Sequence, residues 1–205
     1  IEGVDIQNSN PEIKRRLNMV GIRNLNNVID ISNYLMHELG QPIHVFDYDK
    51  IGKGKMIIRE SKKGERITTL DGEEHKLPGG DIVIEDGEGK LIDLCGIMGG
   101  ENSAVGKNTE NVLLFVQNYE PNHIRNTSME LAHRTQAASL FEKGVDSELV
   151  MPTILKAIQL IKEHASGKPS KKILDIYPNP YKEKSVAVSL QKIEAILGTS
   201  LQKGE

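Results

Sequence analysis

A histidine carried behind a stiff turn is the first place in this sequence where chemistry can be sought. His44 follows Gln41-Pro42 and sits between Ile43 and Val45. The proline fixes its own φ and holds Gln41 in an extended conformation, so the imidazole is presented from a restrained backbone. Imidazole titrates near ~6.5 when unperturbed, so His44 can serve as a general base, an orienting donor or a core histidine. Just upstream, Asp30, Asn33 and His37 recur at i, i+3 and i+7, which places them on one polar helical face. Downstream, Gly96-Ile97-Met98-Gly99-Gly100 offers glycines that allow positive φ and a close backbone approach. It lacks the Lys-Ser/Thr of a phosphate-binding loop, and it can equally be a tight strand connection. Thr135-Gln136-Ala137 opens a further helix, where the threonine hydroxyl can simply be an N-cap. A polar helix face followed by a stiff turn bearing a histidine is one way of building a wall of a pocket. No nucleophile elbow is present, and no His/Asp/Glu spacing resembles a metal motif.

The elements that must position them follow from periodicity. Val28, Ile31, Leu35 and Leu39 make an apolar stripe for a helix over about 27–39, with Gly40 as its left-handed stop. Asn10-Pro11-Glu12 starts an earlier helix, continued by Ile13, Leu17 and Val20. After His44 come short strands at Lys55–Glu60, Arg66–Leu70, Asp81–Glu85 and Lys90–Leu94, with turns at Asp71-Gly72 and Asp86-Gly87, which read as an antiparallel meander. Asn111–Val116 is a buried strand, Pro121–Leu131 and Thr135–Lys143 are short helices, and Ser147–Ala165 is a stronger one. Lys172–Ile176 and Ser185–Leu190 read as strands on either side of a Pro178-Asn179-Pro180 linker, with a helix over Gln191–Leu197. The fold class is α+β, β meander or sandwich layers packed with several helices, not alternating βαβ.

At 205 residues, with 27% charged and 38% hydrophobic residues, the chain can bury a sizeable core. A net charge of −3 gives no general attraction to polyanions, so a nucleic acid would be met by a local patch or held by another domain. The lysines and arginines between Lys53 and Arg66 are interleaved with Glu60 and Glu65 and read as a solvated face. The lone Cys95 excludes an internal disulfide and a cysteine zinc cluster, which points to a reducing, cytoplasmic setting. No apolar run approaches the ~18 residues of a membrane span. A chain that opens on Ile1 and stops just after a helical pattern reads as a piece of something longer.

Four stretches, GIRNLNNVIDISNYLMHELGQPIHVFD, GIMGGENSAV, TENVLL and RTQAASLFEKGVD, carry a resemblance to the β subunit of bacterial phenylalanyl-tRNA synthetase, in the editing module formed by the third and fourth domains of that chain. The resemblance covers about Gly3 to Tyr177, and the tail KSVAVSLQKIEAILGTSL is similar to the start of the next domain. It implies an editing module over 1–181, then a linker and a truncated following domain over 182–205. The implied activity is hydrolysis of tyrosine misattached to the phenylalanine tRNA. The implied partners are that tRNA and the α subunit, in an α2β2 enzyme of the cytoplasm with no membrane contact. No cofactor is implied for this domain, ATP and magnesium being used by the whole enzyme mainly at the α-subunit site.

The family's pocket residues fall on Arg23, Asn33, Pro42, His44, Gly96, Gly99, Thr135 and Ala137. The resemblance implies that the glycines admit the aminoacyl end and that small Ala137 leaves room for an aromatic ring. A positioned water would attack the ester, with His44 polarising it and backbone N–H groups of Gly96–Gly100 near the carbonyl oxygen. One position departs. The family carries a glutamate just after NVLL that receives the tyrosine hydroxyl, and here that place is Phe115. Gln117 lies on the same strand face about 6.6 Å further along and can substitute. Leu140 also replaces a polar residue. The alternative is a module that keeps the fold as a tRNA-facing scaffold without editing.

Overall fold

The computed structural model describes residues 1–201, and the stretch 202–205 at the end of the sequence lies outside the described residues. By internal contacts the chain divides into two units, Ile1–Ile173 and Leu174–Glu205. The first contains helices α1 (Pro11–Met19), α2 (Asn27–Leu39), α3 (Pro121–Glu130), α4 (Gln136–Phe141) and α5 (Val150–Ala165). Its strands are β1 (Ile43–Asp47), β2 (Met56–Glu60), β3 (Arg66–Thr68), β4 (Glu74–Lys76), β5 (Ile82–Asp86), β6 (Leu91–Leu94), β7 (Met98–Gly99) and β8 (Val112–Val116). The α+β class holds.

The strands form three antiparallel sheets: a β1–β8 ribbon, a four-stranded sheet in the order β2-β5-β6-β7, and a β3–β4 hairpin. This corrects the simple meander, because the hairpin interrupts the path from β2 to β5. Strand β1 is also new. The apolar run around His44 is a strand because β8, distant in sequence, supplies its edge. By contrast, Lys172–Ile176 and Ser185–Leu190 form no strand. Leu174 and Ile176 are 86% and 77% exposed, so those residues pair with no neighbouring edge and bury no face. Helix α6 (Leu190–Leu197) is capped by the Ser189 side chain and ends at left-handed Gly198.

The ribbon separates two cores. Val45, Val112 and Leu114 face α1, α2 and α5, packing with Leu17, Val28, Ile31, Leu35 and Ile161. Period-2 alternation turns His44, Phe46, Leu113 and Phe115 the opposite way. There Phe46 packs with Ile51, Ile84, Ile92 and Cys95 of the four-stranded sheet. On the far face of that sheet, Val83 and Leu94 pack with Ile67, Ile124, Ala138 and Phe141. A register shift between β5 and β6 pairs Glu85 with Leu91 and leaves Ile92 without a partner. Such a bulge lets two successive residues, Ile92 and Asp93, point toward the ribbon.

Helix α2 is built as its stripe predicts. Asn26 caps it, accepting from Val28 N–H and Ile29 N–H, and Gly40 ends it at φ 73°. The polar face is not uniform, however. Asp30 is fully buried, accepting from Ser9 Oγ at 2.5 Å and Leu25 N–H at 2.8 Å. It therefore pins the segments flanking α1 and does not join Asn33 and His37 on an open wall. The loop before α2 folds back over its first turn, which helical spacing alone does not report.

Candidate functional site

His44 and Phe115 are register partners in the β1–β8 ribbon, so their side chains stand side by side on the face toward the four-stranded sheet. The imidazole meets Phe46 edge-on at 4.2 Å between ring centroids, and Phe46 in turn lies 6.0 Å from Phe115. On its other side the ring lies against Gly99, where an added Cβ would sit 2.1 Å from Cε1 and 2.7 Å from Nε2. Gly99 is thus required by His44. Gly96, at φ 72°, is required in the same way, since a Cβ there would come within 2.6 Å of Ile124. In this fold both glycines make room for the protein's own side chains.

His44 keeps some exposure at its edge, yet the protein packed around its ring leaves an imidazolium poorly solvated. Desolvation lowers its pKa to about 4, so the ring is neutral near pH 7. A neutral imidazole can accept a hydrogen bond from water and orient it. Its environment contains a second titratable group that motif reading missed. Asp93 is the register partner of Gly99 and so points to the same face. It is 3% exposed, and burial pushes its carboxyl up to about 7, with a hydrogen bond involving Cys95 acting the other way. Cys95 and Tyr119 are both raised well above their usual values by burial first. An aspartate inside the apolar strand Leu91–Leu94 was the available signal.

Gln41 closes the compartment from the strand ends. It is fully buried, and its Nε2 donates to Gln117 O at 2.9 Å and to Pro42 O at 3.2 Å. Gln117 lies two residues past Phe115, just beyond the end of β8. Its Oε1 is buried without a hydrogen-bond partner of ordinary geometry, and the Tyr119 hydroxyl lies against Cys95 and the Gln117 side chain. The glycine loop is tied to α4 by Thr135, whose Oγ1 donates to Ile97 O at 2.9 Å and accepts from Ala138 N–H at 3.0 Å. His37 on α2 meets Gln136 at 3.0 Å. Ala137 packs against the core beneath α4.

Thus the fold brings His44, Gly99, Phe115 and Gln117 to one compartment and fastens Thr135 to its glycine loop. Arg23 is exposed on the α1–α2 connection and makes no hydrogen bond or ion pair among the described residues, and Asn33, half-buried on α2, likewise makes none. Of the backbone donors in the loop, Ile97 N–H and Gly100 N–H are committed to Leu94 O and Ile92 O. They are therefore not oxyanion donors in this arrangement. A separate cleft of about 540 Å³ lies beside β3, lined by Arg66, Thr68, Lys90 and Glu101 among others. It is open and holds no histidine, so the chemistry is better sought at His44.

Thr135→Val, which keeps the shape but removes both hydroxyl contacts, is expected to cost about 1–2 kcal/mol in urea unfolding, while Thr135→Ser stays near wild type. A loss under ~0.5 kcal/mol for valine would show that the loop is held elsewhere.

The comparisons with known proteins agree with this architecture. A family model described as the B3/4 domain matches residues 1–166. The phenylalanine–tRNA ligase beta subunit of Geobacter metallireducens is 40% identical over 205 residues, all of this chain and 26% of that protein. That of Carboxydothermus hydrogenoformans is 40% identical over 201 residues, 98% of this chain and 25% of that protein. The chain thus spans about a quarter of the length of these curated relatives. The crystal structure of an N-terminal fragment of the phenylalanyl-tRNA synthetase beta subunit from Pyrococcus horikoshii superposes with a TM-score of 0.52 at 18% identity. It covers 100% of this chain and 56% of that one, a likeness of fold. No helix among the described residues is long and apolar enough to cross a membrane. The chain belongs to the B3/4 domain family and is homologous to the beta subunit of phenylalanine–tRNA ligase.

Proposed function

We propose that this domain is the editing module of a phenylalanine–tRNA ligase β subunit, hydrolysing the ester that joins misattached tyrosine to the phenylalanine tRNA. The observation that carries the reading is a neutral His44, register partner of Phe115, with the Gln117 amide just beyond the end of β8 and its Oε1 buried. The amide oxygen is an acceptor for the hydroxyl that tyrosine has and phenylalanine lacks, in the compartment where Phe115 replaces the family's glutamate. A buried acceptor left unsatisfied by the wrong substrate discriminates by ~10⁴ or more, which an apolar wall does not. His44 accepts a hydrogen bond from the attacking water and orients it toward the ester carbonyl. Phe115 and Phe46 flank the imidazole and exclude bulk solvent. Thr135 fixes the glycine loop against α4.

In this reading the partners are the phenylalanine tRNA and the α subunit of a cytoplasmic enzyme. The deacylation itself uses no cofactor, ATP and magnesium serving aminoacylation elsewhere. The experiment is deacylation of Tyr-tRNA and Phe-tRNA, both on phenylalanine tRNA, by the parent αβ enzyme. Tyrosine is expected to be released well ahead of phenylalanine, and His44→Ala to slow that release about 100-fold. Gln117→Leu is expected to erase the preference between the two amino acids. Wild-type release of tyrosine no faster than without enzyme would overturn the proposal and leave a tRNA-facing scaffold.

A further inference from the structure

A second cluster of histidines lies on the far side of the glycine loop, between the β3–β4 hairpin and the α3–α4 connection. Asp71, His75 and His133 each offer one ligand atom, and these atoms all lie within 4.8 Å of one another. His75 is 91% buried by its 9% exposure, and His133 retains only 11% of its side-chain surface. The Nε2 atoms of both are buried without a hydrogen-bond partner. The two rings pack edge-to-face at 4.7 Å.

Hydrogen bonding does not account for this arrangement. His133 Nε2 is 3.6 Å from Asp71 Oδ2, His133 Nδ1 is 3.7 Å from Glu73 Oε2, and His75 Nε2 is 3.9 Å from Glu73 Oε2. All are too long for N–H···O bonds. Only the His133–Asp71 distance joins two of the three clustered groups, and it lies close to the roughly 3.3–3.5 Å between donors that share a tetrahedral centre. A small side-chain rotation would bring the third, within 4.8 Å, onto the same ion. The carboxylate is also held as a ligand would be. Thr69 Oγ1 donates to Asp71 Oδ1 at 2.7 Å and Glu73 N–H to the same oxygen at 3.3 Å, leaving Oδ2 toward His133. Metal-bound carboxylates are commonly oriented by such outer hydrogen bonds. On the other side, His133 N–H donates to Ser128 O at 3.0 Å and Ser128 Oγ to His133 O at 2.9 Å, fixing the backbone that carries the imidazole.

We propose that Asp71, His75 and His133 form a binding site for one divalent transition-metal ion of the zinc class. Two imidazoles and a carboxylate suit such an ion and not Mg²⁺ or Ca²⁺, which take oxygen ligands. With three protein donors and a fourth position open to solvent, the site still joins two segments of the chain. It fastens the hairpin to the α3–α4 connection at the two points from which the His44 compartment is held. Leu70 N–H donates to Gly99 O at 3.0 Å, one residue from Asp71, and Thr135, two residues after His133, binds Ile97 O.

The inference does not depend on the deacylase reading. Tag-free, chelator-treated protein is titrated with Co²⁺ alone and followed by visible absorption, then with Zn²⁺ in a thermal melt. One Co²⁺ per chain with the intense bands of tetrahedral cobalt is expected, displaced by Zn²⁺. Saturating Zn²⁺ should raise Tm by about 5 °C or more. Asp71→Asn and His133→Gln, each folded as judged by far-UV circular dichroism, should weaken Co²⁺ binding tenfold or more. Absence of the cobalt bands, binding unchanged in both variants, or a preference for Mg²⁺ over Zn²⁺ would overturn the proposal.

Discussion

Gly99→Ala is expected to destabilise the protein by about 2–3 kcal/mol and to abolish deacylation, through one contact. The added Cβ would lie 2.1 Å from His44 Cε1, well inside any tolerable separation. Gly99 is not among the positive-φ residues, so alanine can adopt its backbone conformation and no torsional strain enters. The imidazole has little room to retreat, with Phe46 edge-on at 4.2 Å and Phe115 paired across the ribbon. The diagnostic measurement is a double-mutant cycle in urea. Truncating His44 to alanine removes the atoms that clash, so adding Gly99→Ala to His44→Ala should cost at least ~1 kcal/mol less than adding it to wild type. Strict additivity would mean that the glycine is required for another reason. Gly72→Ala is a useful contrast, because that glycine stands at φ +83° with nothing within 4 Å of a Cβ. Its cost would be backbone strain alone, and no change at His44 would relieve it.

The second large effect is a pair of opposed pH dependences hidden in the wild type. Asp93 is raised from 3.8 to about 7, so between those values the folded state holds the proton more tightly than the unfolded chain. Its contribution is present at low pH and is lost as pH rises toward 7. His44 is lowered from 6.5 to about 4, so between those values the unfolded chain holds the proton more tightly. Its contribution is lost as pH falls through that window. Each slope approaches about 1.4 kcal/mol per pH unit, and over their shared range the two nearly cancel. Asp93→Asn should therefore make stability rise with pH relative to wild type from about pH 4 to 7, by up to about 4 kcal/mol in total. His44→Gln should make it fall with pH from about 4 to 6.5. Parallel urea titrations at half-unit intervals test both. Variant curves that run parallel to the wild type would show that neither group is desolvated as its surroundings require.

Much of the architecture is legible without coordinates because it is local. The Val28–Leu39 stripe, the Asn26 cap and the Gly40 stop define α2 by interactions within four residues of one another. The Asp86-Gly87 turn and the flanking apolar runs define the β5–β6 hairpin for the same reason. His44 and the glycine loop stand out in the linear sequence, Phe115 and Gln117 only through the family resemblance, and the fold sets His44 against Gly99 and Phe115. The roles of the glycines were not legible there, because what fills the space at Gly99 is a side chain 55 residues earlier in the numbering.

What only the tertiary structure decided depends on which edges and faces meet. Whether an apolar run becomes a strand turns on a distant partner, which β1 finds in β8 and Lys172–Ile176 does not find. Whether a carboxylate is solvated turns on what folds over it: Asp30 lies under the α1–α2 connection and Asp93 faces inward beside a bulge. The Asp71, His75 and His133 cluster has no linear signature, since a hairpin and a helix–helix connection supply its members. Sequence spacing reports ligands that share an element. Only the packing of the β3–β4 hairpin against the α3–α4 connection brings these together.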